Sequence, residues 1–179
     1  MSFPSSDGLC VSDSRSRLFA KLEELGICCE VVPYPSHASI EEGKALRGAM
    51  RGTFTKNLLL KDKKGNYFLV SAHEDRSINL KTLHKRVGGK GQLGFASEDR
   101  VAEHLGVRPG ALTPLGLIND SAHVVRPVID SALLDCAQLN FHPLVNDESI
   151  SLSPNQLLAF IRASGHQAIF VDFDTSEDS

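Results

Sequence analysis

The chain has 179 residues, 41% of them hydrophobic and 23% charged, which suits one globular domain large enough to bury a continuous core. No apolar run approaches the roughly 20 residues that a membrane helix needs. The first 13 residues lack the basic-then-apolar order of a secretory signal, so a cytoplasmic protein with no membrane partner is expected. The net charge of −3 hides an asymmetry: residues 44–90 hold 12 of the 19 Lys and Arg residues against only Asp62, Glu74 and Asp75, a balance of +9 beside −12 elsewhere. An acidic remainder of that size argues against wrapping DNA and favours a small anionic footprint. Lys61, Lys63, Lys64, Lys81, Lys85, Arg86 and Lys90 fit a phosphate-facing surface or, equally, solvated turns and helix faces.

Taken in order, the first 13 residues are an extension, and a helix is predicted over 14–25. Ser12 or Asp13 would cap it, with Leu18, Leu22 and Leu25 on one stripe and Gly26 as its stop. A short strand over 27–34 should follow, then a second helix opened by the capping box Ser39-Ile40-Glu41-Glu42 and ending near Gly48. Residues 53–60 and 66–72 flank the polar turn Asp62-Lys63-Lys64-Gly65 and read as a hairpin. A basic helix is predicted over 79–87, a short strand over 93–96, and a helix over 97–105 that Ser97 caps and Gly106 ends. Later come strands over 124–129 and 138–142 separated by a helical turn at 131–136. A capped helix starts at Ser153-Pro154-Asn155-Gln156, a last strand covers 167–172, and 174–179 form a tail. Without a regular βαβ rhythm, the pattern predicts an α+β domain with a mixed, largely antiparallel sheet surrounded by helices.

Two features carry chemistry. In the first hairpin strand a period of two places Lys56 on the face of Phe54, Leu58 and Leu60. An ammonium among apolar side chains needs a partner, so this lysine is a functional candidate unless it lies at a strand end and snorkels to water. The segment Gly110-Ala111-Leu112-Thr113-Pro114-Leu115-Gly116 has turn formers at both ends and is expected to be neither helix nor strand. Backbone N–H groups left without regular partners there suit an anion or oxyanion, although the same segment also reads as a plain connector.

Cys10, Cys28, Cys29 and Cys136 lack CxxC spacing, the adjacent pair would point to opposite faces of a strand, and all four read as reduced thiols. His73, His84, His104 and His142 show no helical ligand spacing with a carboxylate, so no metal and no cofactor is expected. No Ser-His-Asp set supports a side-chain nucleophile.

Thr55-Lys56-Asn57-Leu58, Gly110-x-x-x-Pro114 and Asn140-Phe141-His142-Pro143-Leu144-x-Asn146, in that order, resemble the YbaK/ProX aminoacyl-tRNA editing family over roughly residues 15–173. The likeness is to the PrdX/ProX branch, free-standing relatives of the insertion domain of bacterial prolyl-tRNA synthetase that hydrolyse alanyl-tRNA made in error on the proline tRNA.

The resemblance implies that Lys56 holds the terminal adenosine, its phosphate or the reacting ester, that the Gly110–Pro114 backbone contacts the aminoacyl carbonyl, and that His142 lines the amino-acid pocket. Lys56, Gly110 and His142 would then be the catalytic set, with Thr55, Asn57, Thr113, Pro114 and Asn146 contacting substrate and Lys81, Lys85 and Arg86 the tRNA. The expected partners are the acceptor end of an aminoacyl-tRNA and a prolyl-tRNA synthetase. Two alternatives stand beside this: a deacylase for another charge, such as cysteinyl-tRNA on the proline tRNA, or a silent tRNA-binding module.

Overall fold

A computed structural model of the chain describes residues 6–33, 39–48 and 50–175. In chain order the elements are α1 (Ser6–Glu24), β1 (Val32–Pro33), α2 (Ile40–Leu46), β2 (Thr53–Lys61), β3 (Tyr67–His73), α3 (Leu83–Val87), β4 (Gly94–Phe95) and α4 (Glu98–Leu105). A 3₁₀ helix (Pro114–Asn119), β5 (Val125–Asp130) and a second 3₁₀ turn (Ser131–Asp135) follow, then β6 (Leu139–Phe141), β7 (Glu148–Leu152), α5 (Pro154–Ala163) and β8 (Ile169–Val171).

The α+β reading holds, and the sheet is mixed in the order β1-β7-β6-β2-β3-β5-β8, with β4 added to β2. The pairs β1–β7, β6–β7, β2–β3 and β2–β4 are antiparallel, while β6–β2, β3–β5 and β5–β8 are parallel. Side-chain alternation along the hairpin divides the core between the two faces of the sheet. Leu59 and Leu69 join the larger cluster, with Leu18 and Leu22 of α1 and Leu157, Phe160 and Ile161 of α5; Leu60, Phe68 and Val70 join a smaller one with Leu83 and Val87 of α3.

Caps read from the sequence are in place. Ser39, Ser97 and Ser153 each accept a hydrogen bond from the amide three residues on, and Ser153 with Gln156 forms the complete reciprocal box. Elsewhere the chain departs from expectation. Helix α1 starts at Ser6, so Ser12 and Asp13 lie inside it rather than capping it; the Ser12 carbonyl accepts from Ser16 Oγ, and Asp13 pairs with Arg17 one turn on. Cap-forming residues are tolerated in a helix when their side chains stay in solvent.

Strand β1 is only Val32–Pro33, so Cys28 and Cys29 precede it, and Tyr34 falls outside the described residues. The basic helix shortens to Leu83–Val87, leaving Lys81 before its first turn. Among the described residues no helix is long and apolar enough to cross a membrane.

Candidate functional site

The site forms where β2 lacks a neighbour. On one edge β2 pairs with β3 from Thr55 to Lys61, but on the other β6 covers only Thr53 and Phe54 and β4 covers only Leu60 and Lys61. Thr53 N–H donates to the Gln138 carbonyl and Leu59 O accepts from Ala96 N–H, so by alternation the Asn57 peptide groups also face this interrupted edge. A cleft of about 390 Å³ opens there, lined by Thr55, Lys56, Asn57 and Leu58, by Pro109, Gly110 and Leu112 of the long loop, and by His142.

Lys56 is the fourth residue of β2, half-buried and not at the strand end. Its Nζ donates to the Arg76 carbonyl. Arg76 is held in turn: its Nε donates to the fully buried Asp130 at 3.0 Å, and its Nη1 donates to Asp174. Asp130 also accepts from the amides of His73 and Ala132. A buried carboxylate thus fixes the turn after β3, and that turn fixes the ammonium at the cleft.

The loop opposite is shaped by its punctuation. Arg108-Pro109-Gly110-Ala111 is a β-turn closed by Ala111 N–H donating to the Arg108 carbonyl at 3.1 Å, with Gly110 at φ 85°, a conformation that a Cβ disfavours. Asn57 ties this loop to the sheet: Nδ2 donates to the Leu112 carbonyl at 3.1 Å, and Oδ1 accepts from Ser71 Oγ at 2.7 Å, which settles which way the amide points.

Beyond Leu112 the expectation of irregular chain fails. Pro114 sits at the first position of a 3₁₀ helix, where its fixed φ is favourable and its missing N–H costs nothing, and Thr113 Oγ1 caps it through Leu115 N–H. Three amides of the segment are partnered, Ala111 by the Arg108 carbonyl, Leu115 by Thr113 Oγ1 and Gly116 by the Thr113 carbonyl. Thr113 and Pro114 are buried beneath the loop rather than lining the cleft. Asn146 is half-buried and also absent from the lining.

His142 follows β6 and is half-buried at the cleft wall. Its Nδ1 lies 2.8 Å from the Glu148 carbonyl. A carbonyl only accepts, so Nδ1 carries a proton toward it, which fixes the orientation of the ring. Thr55, Asn57 and His142 also border an adjoining recess walled by Phe54, Arg47 and Glu74. Arg47 grips Glu74 bidentately at 2.8 and 2.9 Å and lies over the Phe54 ring at 3.9 Å, a rigid wall with its charge internally balanced.

Lys56, Gly110 and His142, with Thr55 and Asn57, therefore meet in one place. Lys81, before α3, and Lys85, within it, are exposed, whereas Arg86 donates to Asp172 O and Thr175 Oγ1 and is spent on the chain's own C-terminal segment. Sequence reasoning missed Arg76, Asp130, Arg47 and Glu74. Their pairings span 54 and 27 positions, and no local pattern announces them. Among the described residues no group of three His, Cys, Asp or Glu side chains is arranged to hold a metal.

A solved structure of a candidate trans-editing enzyme for prolyl tRNA synthetase superposes with a TM-score of 0.66 at 24% identity, covering 89% of this chain and 95% of that one, and so defines the class of fold. The family description "aminoacyl-tRNA editing domain" matches residues 35–160. Mouse prolyl-tRNA synthetase associated domain-containing protein 1 is 42% identical over 167 residues, covering 91% of this chain and 98% of its own. The prolyl-tRNA editing protein ProX of Acetoanaerobium sticklandii is 34% identical over 155 residues, covering 86% and 94%. The chain belongs to the aminoacyl-tRNA editing domain family.

Proposed function

We propose that the protein is a trans-editing deacylase that hydrolyses the ester of a mischarged proline tRNA, alanyl-tRNA(Pro) above all. The observation that carries this is the convergence of one fixed ammonium, one glycine turn and one oriented imidazole on the interrupted edge of β2. Lys56 Nζ, steered by the Arg76 carbonyl, supplies a cation for the phosphate or the polarised ester oxygen of the terminal nucleotide. The backbone at Gly110 approaches the aminoacyl carbonyl closely because no Cβ stands in the way. His142 borders the space for the amino-acid side chain.

The hydroxyls of the lining are already engaged: Thr55 Oγ1 donates to the Asn140 carbonyl at 3.4 Å, and Ser39 Oγ accepts from Glu42 N–H at 3.1 Å. Attack by water, assisted by the substrate's own 2′-hydroxyl, agrees with that arrangement, and ester hydrolysis then rests on positioning and charge.

The need for such a step is physical. A synthetase pocket shaped for proline rejects the smaller alanine by only about 1–3 kcal/mol, so a second pocket that excludes proline by size completes the discrimination. The names of the mouse and bacterial relatives support prolyl-tRNA synthetase and its tRNA as the partners. Purified protein incubated with alanyl-, cysteinyl- and prolyl-tRNA(Pro) is expected to release alanine at least about tenfold faster than the other two. Preference for cysteine would reassign the charge removed, and no release from any of them would leave a binding module.

A further inference from the structure

We infer that Phe95 is a stacking platform for the unpaired nucleotides preceding the terminal adenosine of an aminoacyl-tRNA, and that a neighbouring lysine arc holds their phosphates. This deepens the deacylase reading and rests on it for the identity of the ligand.

Phe95 is 65% exposed, the largest exposure among the big hydrophobic side chains of the described residues. It lies on edge strand β4 directly opposite Leu60, hence on the same sheet face as Lys56, Leu58 and Leu60. The next residue, Ala96, lines the cleft. Four residues of strand separate Lys56 from Leu60, roughly 13 Å. The ring therefore stands one residue outside the cleft lining, on the strand that flanks it, at a distance that a single strand leaving Lys56 reaches within a few nucleotides.

The cations beside it are built, not scattered. Lys61 pairs with Gly94 in the ladder, Lys63 and Lys64 form the β2–β3 turn, and Lys90 lies in the turn before β4; all four are exposed. The buried Asp62 clamps the two turns together. Its carboxylate accepts from Lys64 N–H at 2.8 Å, Asn66 N–H at 2.9 Å, Asn66 Nδ2 at 2.8 Å and Lys90 N–H at 2.7 Å. Lys63 N–H donates to the Lys90 carbonyl at 3.2 Å, and the Lys63 stem crosses Gly91, where a Cβ would lie 2.9 Å from its Cδ.

Burial alone would raise the Asp62 pKa, yet the hydrogen bonds from the Asn66 side chain and from the amides of Lys90, Asn66 and Lys64 hold it well below the usual carboxylate range. The negative charge is thus consumed by N–H groups, and none of the four ammoniums forms an ion pair among the described residues. An exposed aromatic face beside unneutralised cations, at the mouth of a cleft read as taking a 3′ terminus, is the combination that binds single-stranded nucleic acid.

The chain has no tryptophan, so Phe95→Trp introduces its sole indole at the site in question. The probes are an uncharged acceptor-stem RNA hairpin ending in its unpaired 3′ nucleotides and the same hairpin made blunt. Saturable quenching of the indole is expected with the overhang only, along with an affinity about tenfold weaker in Phe95→Ala and preserved in Phe95→Trp. Replacing Lys63 and Lys64 together by Ala should lower the salt dependence of binding by about two phosphates.

Unchanged affinity in a folded Phe95→Ala protein, or equal quenching by the blunt hairpin, would overturn the inference. Equal quenching by an acidic peptide of matched charge would do so as well, by assigning the face to a protein partner. Because the probes carry no amino acid, the result is independent of turnover: RNA held through Phe95 by a protein that deacylates nothing would sink the enzymatic reading and leave the platform standing.

Discussion

The two ends of the β2–β3 hairpin use the same device for opposite purposes. At the cleft end a buried aspartate, Asp130, engages the Arg76 guanidinium, and the turn so fixed directs one lysine, Lys56, to one spot. At the turn end a buried aspartate, Asp62, is satisfied by three backbone amides and the Asn66 side-chain amide, leaving Lys61, Lys63, Lys64 and Lys90 exposed with their charge intact. Chemistry at a single ester oxygen requires a cation that does not wander, because misplacement forfeits the electrostatic advantage. Attraction of a polyanion requires charge in quantity and tolerates mobile stems.

The comparison breaks most sharply at Arg76. Arg76→Ala strands Asp130, which is fully buried, and should cost about 3 kcal/mol in urea denaturation while lowering turnover by up to as much as loss of Lys56 itself, since Lys56 loses the turn that holds it. Asp62→Ala should cost less, about 2 kcal/mol, by leaving enclosed amides without an acceptor, and turnover per folded molecule at saturating tRNA should stay at wild type. The pH dependence carries the same sign. A carboxyl whose pKa falls on folding stabilises above its ordinary value near 3.9, and that contribution fades as acid titrates the folded group below it, so the wild type should lose more stability than Asp62→Ala between neutral pH and pH 2. The smallest effect in energy is the most specific: Lys56→Ala should keep its melting temperature and lose at least about tenfold in deacylation, about 1.4 kcal/mol. Full activity in that variant would erase the distinction between the two ends.

What the sequence made legible is what local rules govern. Three serine caps, the two hairpin strands with their turn, and the anomaly of Lys56 on an apolar strand face each follow from short local patterns. Strand β7 escaped notice because Glu148, Ser149 and Ser151 dilute its apolar signal to Ile150 and Leu152, and only pairing with β6 and β1 makes it a strand. Pro114 was read as a stop and acts as a start, a distinction that depends on whether Thr113 is free to cap. The convergence of Lys56, Gly110 and His142 was reached through family likeness, but Arg76 and Asp130, which hold the first of them, lay beyond any short motif.

The parallel pairing of β2 with β6 joins Thr53 to Leu139 and Phe54 to Asn140, positions 86 apart in the chain. Closing so long a loop is entropically slow and is rewarded only once both strands exist. During synthesis the hairpin can form with Lys56 on it well before the ribosome has delivered β6, and until then the edge that becomes the cleft lacks the wall bearing His142. A nascent chain at that stage has its charged surface but no enclosed site. The order of translation thus separates in time what the folded molecule holds together in space.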